Sequence, residues 1–354
     1  MNFLITLVLF LTIGHSISEK VRYDNYKLYR LTPKNAQALQ ALKDLEETEY
    51  SEYNFWNSVR TIGVPVDVMA PPSRVDELEN MVKSLDMDSK LLMENVQDQI
   101  DAEHRPQTRE NEVFGWTRVT SAVSSYILNE ILTSTNETVR RMATSHDWYV
   151  FPIFNPDGFV YSHTTDRMWR KTRVPHSILC TGADPNRNWD YYWNHGGTSN
   201  SPCTDTYRGP APFSEPSCKS MADFISTIGH QLVAYLSFHS YSQLLLLPYG
   251  YTNEHLENYD QAYEIGLKSV EALAQRYGTQ YRVGTVYEII YPASGSSADW
   301  VKGVFKTPLV YGYELRDQGQ YGFLLPPEQI IPTAEETLDS VITMLREYEN
   351  SINS

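Results

Sequence analysis

The residues with the most chemistry in them sit in short motifs along the second half of the chain. Arg187 lies beside Asn186 in Pro185-Asn-Arg-Asn-Trp-Asp190, and Arg170 lies in Arg167-Met-Trp-Arg-Lys-Thr-Arg173. A guanidinium is a planar fork that binds a carboxylate through two parallel hydrogen bonds. His239 follows an apolar run in Ser237-Phe-His-Ser-Tyr241, and Glu314 ends another in Tyr313-Glu-Leu-Arg-Asp317. A carboxylate at the end of an apolar strand is costly to bury, which favours a functional role for it. Each residue also has a plainer reading. Arg187 suits a surface ion pair. Arg170, among Arg167, Lys171 and Arg173, suits a solvated basic face. A lone histidine is more often structural than a ligand. Tyr291 is one of 25 tyrosines, and only its motif, Ile290-Tyr-Pro-Ala-Ser-Gly295, selects it.

The elements that must position these residues fall into two groups. A length of 354 residues with 41% hydrophobic content supports one large core and a smaller one. The net charge of −15 argues against nucleic acid or an anionic membrane surface as partner. Met1 to Ser18 carries a short apolar run and small residues before Glu19, the pattern of a secretory signal too short to span a bilayer. Residues 19–97 predict a β-α-β-β-α-β module: strands over 26–31, 55–59, 64–69 and 90–96, one helix opened by Thr32-Pro33, and another opened by a Ser73–Asp76 capping box. A polar connector, 98–112, offers Arg109-Glu110 to a trypsin-like protease. From Thr120 the pattern is α/β. Val123, Tyr126, Ile127, Ile131 and Leu132 share a helical face; 148–154, 232–238 and 310–314 read as strands covered on both faces. Thr333-Ala-Glu-Glu336 is a capping box for a C-terminal helix. Cys180 and Cys203 flank a loop rich in Asn, Gly, Ser and Trp, a sensible site for a disulfide in a secreted chain. Cys218 is then left over, as a buried small side chain or one without its partner.

Together with Phe154-Asn-Pro-Asp-Gly158, these motifs occur in an order that resembles the catalytic domain of the carboxypeptidase A/B family of secreted zinc exopeptidases. The module before them resembles that family's activation domain. The resemblance implies a mixed-sheet α/β catalytic domain over 113–354 behind a ferredoxin-like α+β activation domain. It implies a zymogen that acts on peptide or protein C-termini after cleavage near Arg109, and a secreted monomer. It assigns Arg187 and Asn186 to the substrate carboxylate, Arg170 to the developing oxyanion, Tyr291 to closure over the substrate, Glu314 to general-base work and His239 to zinc. Ala298 stands where the family carries an acid when it prefers basic C-terminal residues, so its specificity pocket reads as apolar and A-like.

One part of that resemblance is missing. The family's first zinc-binding histidine and its glutamate come from a His-x-x-Glu turn ahead of the helix that begins here near Thr120. Phe114-Gly-Trp-Thr-Arg-Val119 runs straight into Thr120, and none of the nine histidines is followed by glutamate three residues later. His163-Thr-Thr-Asp166 comes nearest and reads as a polar loop. A site of this kind needs three protein ligands; one imidazole does not hold the ion usefully. The expectation is therefore a carboxypeptidase by lineage that is inactive as written, with doubtful zinc binding and a sheet that lacks a central strand. The alternative is a non-enzymatic protein that binds a peptide C-terminus or a carboxypeptidase.

Overall fold

The computed structural model describes residues 20–48, 51–103 and 119–353. The expected signal sequence, Arg109 and the residues leading up to the Val119/Thr120 junction lie outside them. The first module consists of β1 (Lys27–Thr32), α1 (Ala36–Glu47), β2 (Asn54–Phe55), β3 (Val66–Ala70), α2 (Val75–Ser84), β4 (Asp88–Met93) and α3 (Val96–Ala102). Its antiparallel sheet has the order β2-β3-β1-β4. Alternation along β1 decides both faces. Tyr29 and Leu31 pack with Leu42, Val66, Val68 and Leu78 under the module's own helices, while Leu28 joins Trp56, Met69 and Met93 on the opposite face.

Local chemistry departs from the sequence expectation at several element ends. Thr32 does not cap α1. It is the last residue of β1, paired with Asp88, and Asn35 accepts from the Ala38 N–H instead. No side chain caps α2, which is entered through a turn of 3₁₀ helix at Pro72–Arg74. The strand expected over 55–59 is reduced to Asn54–Phe55. The strand expected over 90–96 ends at Met93, and α3 then runs past residue 98, where the polar connector was expected to begin.

The second part contains α4 (Val119–Thr133), α5 (Glu137–Ser145), α6 (Pro156–Thr164), α7 (Pro216–Ile228), β5 (Ala234–Ser240), β6 (Leu244–Leu247), α8 (Tyr259–Tyr277), β7 (Arg282–Thr285), α9 (Val286–Ile289), α10 (Ser297–Phe305), β8 (Leu309–Leu315) and α11 (Ile330–Asn353). The sheet is mixed, in the order β5-β8-β6-β7. On one face Leu309, Tyr311, Tyr313 and Leu315 meet α4, α8 and α11; on the other Val310 meets Trp189, α7 and α10. Leu132 does not share the buried face of α4; it is exposed. Thr333 does not open α11, which starts at Ile330. No capping box forms there: Thr333 lies inside the helix with its hydroxyl donating to Gln329 O, and Arg316 binds the Glu336 carboxylate.

Two expected inner strands also differ. Residues 148–154 form no strand. Tyr149, Phe151 and Ile153 are exposed and alternate with half-buried neighbours, as in a strand with no ladder beside it. β5 does form, but at the edge of the sheet, and each of its residues is only half-buried. An apolar run reads as covered on both faces only if a neighbour supplies the cover. Cys180 and Cys203 are disulfide-bonded as expected, and Cys218 is a buried thiol whose Sγ donates to Pro185 O.

Candidate active site

β5 and β8 run parallel with His239 directly opposite Glu314. Side chains alternate across a sheet, so Tyr235, Ser237 and His239 leave β5 on the same side as Glu314 leaves β8. Two loops converge there. Residues 184–189 are pinned by Asn188, whose Nδ2 donates to Arg208 O and Ala211 O, and by the buried Trp189, whose indole donates to Pro185 O. The loop after α9 lies against them: Trp189 N donates to Gly295 O at 3.0 Å. Gly295 has φ +74°, and a Cβ there would meet Arg187 O at 2.4 Å, so the approach requires glycine.

The guanidinium of Arg187 is 3% exposed as a residue and donates to Asn186 O, Gly197 O and, at 2.8 Å, the Tyr291 hydroxyl. Asn186 Oδ1 accepts from Ser297 N, which places Ala298 beside it at the start of α10. Arg170 donates twice to Asp184 Oδ2. Burial pushes Asp184 up, but Arg170 and Arg187 outweigh it and hold the carboxyl below its usual range. The sequence motifs thus bring Arg170, Asn186, Arg187, Tyr291, His239, Ala298 and Glu314 into one neighbourhood. Burial, opposed by Arg170, Arg60 and Arg187, still raises Glu314 to about 8. Burial, then Arg170, lowers His239 to about 4. At neutral pH the imidazole is uncharged and the carboxyl largely protonated.

Three participants escaped the sequence reading. Asp184 precedes the motif that contains Arg187 and orients Arg170. Ser237 places its Oγ 2.8 Å from His239 Nε2. Arg60 comes from the first module: its Nη1 donates to Ile289 O at 2.6 Å, and its charge acts on Tyr291 and Glu314. The spacing of i and i+2 on a strand could have revealed Ser237. Nothing local could have revealed Arg60.

A profile described as zinc carboxypeptidase matches residues 116–340, well over half of the chain, and one described as carboxypeptidase activation peptide matches 29–103. The chain belongs to the zinc carboxypeptidase family. It is 38% identical to zinc carboxypeptidase A 1 of Anopheles gambiae over 96% of this chain and 93% of that one. It is 54% identical to a zinc carboxypeptidase of Simulium vittatum over 67% of this chain and 79% of that one. Carboxypeptidase A of Helicoverpa armigera superposes with a TM-score of 0.82 at 23% identity, covering 95% of this chain and 100% of that one, and shows the same fold. The Anopheles alignment runs over 405 positions, more than the 354 residues here, so that relative carries positions with no counterpart in this chain.

Membership of the zinc carboxypeptidase family implies zinc, and the donors can be tested against it. Among the described residues, no group of three or more His, Cys, Asp or Glu could hold a metal ion. The Nε2 of His239 is occupied by Ser237, and the nearest charges acting on the ring include two arginines. His163 lies in the last turn of α6, a helix where a loop was expected, with its ring against Phe159. These residues do not fit the ion.

Proposed function

We propose that this chain binds the free C-terminal carboxylate of a peptide or protein whose last side chain is apolar or aromatic, and that as written it does not hydrolyse the bond behind it. The observation that carries the reading is Arg187: a buried guanidinium, fixed by two carbonyls, whose remaining nitrogen faces the Tyr291 hydroxyl, a partner a carboxylate can replace. Arg170 and Asn186 supply further donors, and Ala298 puts no charge beside them. Glu314 keeps the base position of the lineage, but His239 is left without the companions that three-ligand zinc requires. Unmatched positions in the Anopheles relative support a lost segment.

The same reading takes 1–18 as a secretion signal, 19–97 as the activation domain, 98–112 as a connector cut near Arg109 by a trypsin-like protease, and 113–354 as the shortened catalytic part of a secreted monomer. Calorimetric titration of the full chain with a peptide ending in Phe, and with its C-terminal amide, tests the function. Binding should require the free carboxylate, fall at least tenfold in Arg187→Ala, and release no Phe after zinc is added. Equal affinity for acid and amide would remove the carboxylate site; released Phe would remove the claim of inactivity. Sequencing the transcript across the codons for Val119 and Thr120 tests the lineage. Extra codons for a His-x-x-Glu segment there would confine the inactivity to this product.

A further inference from the structure

One pattern in the catalytic part is not used by the carboxylate site. Asn136-Glu137-Thr138 is the only Asn-x-Ser/Thr triplet in the chain, and such a triplet is the acceptor pattern for an N-linked sugar. All three residues are exposed, where the turn after α4 enters α5.

A helix cap accounts for only part of the triplet. Asn136 Oδ1 accepts from Thr138 N at 2.9 Å and from Val139 N at 3.4 Å, work that aspartate or serine would do as well. Two groups remain without a task. Among the described residues, Asn136 Nδ2 donates to no protein group, and the Thr138 hydroxyl has no hydrogen-bond partner. Thr138 is the second residue of α5, where the cap uses only its backbone N–H and where alanine would suit the helix better. The amide nitrogen and the hydroxyl two residues on, idle in the fold, are the two groups that the acceptor pattern requires.

The surroundings have room for a sugar. Asn136 lines an open groove of about 310 Å³ between α4, α5, α8 and α11. Tyr126, Val139, Leu338 and Ile342 supply apolar lining, and the Arg276–Asp339 ion pair supplies polar lining. A pyranose ring divides the same way, with C–H groups on its faces and hydroxyls around its edge. The residues assigned to the carboxylate site do not line this groove.

We propose that Asn136 carries one N-linked oligosaccharide whose first N-acetylglucosamine lies against this groove. In the transfer, Asn136 Nδ2 loses one hydrogen as a proton and bonds to C1 of that sugar. The bond from C1 to the pyrophosphate of a lipid-linked oligosaccharide breaks, and the lipid pyrophosphate leaves with the bonding pair. Oδ1 takes no part, so the cap on α5 is kept.

The proposal rests on the reading of 1–18 as a secretion signal, because the lipid-linked donor serves the secretory lumen, and the experiment separates the two. The full chain is expressed in a eukaryotic secretory cell line, beside a version whose residues 1–18 are exchanged for a proven signal sequence. Both are recovered from medium and membranes, their N-termini are sequenced, and tryptic peptides spanning Asn136 are weighed before and after a peptide-N-glycosidase. One glycan at Asn136 is the expected result, kept in Thr138→Ser and lost in Asn136→Asp and Thr138→Ala. A glycan only on the exchanged version would end the signal reading and keep the site. A bare Asn136 in a chain whose proven signal has been removed would overturn the site. The glycosidase leaves aspartate, an equally good cap, so a change in thermal melting reports on the sugar alone. Trimming the glycan to its first sugar should leave Tm unchanged, and removing that sugar should lower Tm by about 2–4 °C. An unchanged Tm on removal would overturn the place given to the sugar in the groove.

Discussion

The two four-stranded sheets treat their edges and faces differently. The sheet of the activation domain is packed on both faces, by its own helices on one side and by the catalytic part on the other. Its β4 edge is exposed but carries Asp88, Ser89 and Lys90, and charges on an edge discourage pairing with a further strand. The catalytic sheet buries β8 almost completely, yet β5, Ala-Tyr-Leu-Ser-Phe-His-Ser, is half-buried along its length and, among the described residues, has a strand partner on one side only. In the same part of the chain Tyr149, Phe151 and Ile153 are exposed, with the Tyr149 and Phe151 rings against Phe224 of α7. A sheet packed on both faces, with charges along its exposed β4 edge, thus stands next to a larger sheet whose outer strand β5 is only half-buried and carries the histidine of the site.

Hydrogen exchange should show the largest difference. Amides in β1 and β3 should open only with global unfolding, while the outward amides of β5 should exchange roughly a thousandfold faster, as local openings of lower free energy allow. Equal protection in the two places would mean that β5 is covered after all. Core truncation comes next. Leu31→Ala, at a side chain with no exposure, should cost about 2–5 kcal/mol in chemical denaturation, and Leu236→Ala, half-buried on β5, about 1 kcal/mol. A reversal of that order would break the comparison.

Stability against pH sharpens it at the site itself. Glu314 is raised in the folded chain from 4.5 to about 8, so the folded state holds its proton longer, and stability falls as pH rises through that window. His239 is lowered from 6.5 to about 4, so its contribution is complete above 6.5 and is lost as pH falls toward 4. The two slopes oppose each other where the windows overlap. Glu314→Gln should remove the decline between pH 6.5 and 8 seen in thermal melts; a profile that keeps it would point to another group. The smallest effect is expected at the charged edge. Lys90→Val should change stability by no more than about 0.5 kcal/mol, while raising concentration-dependent association seen by light scattering.

Much of this was legible in the residues. β8 was found because its run is apolar on both faces and is buried on both. The motifs around Arg170, Arg187, Tyr291, His239 and Glu314 do meet. The readings that failed did so at places where a distant group decides. Thr32 could have capped a helix, but β4 pairs with it. Thr333 could have capped the last helix, but that helix starts at Ile330, Thr333 bonds back to Gln329 O, and Arg316 takes the Glu336 carboxylate. Residues 148–154 have the composition of an inner strand, and no ladder forms beside them among the described residues.

The sequence by itself determined the family, the two-module order, the disulfide and the absence of a His-x-x-Glu pair, because each depends on residue identity and short spacing. Only the tertiary structure decided that β5 is an edge, that Ser237 occupies the ring of His239, that Arg187 is held against Tyr291, and that Arg60 reaches the site from another module across 229 positions of chain. Strand pairing, burial and the field at a titrating group are sums over neighbours brought together by folding, and no local pattern of residues contains that sum.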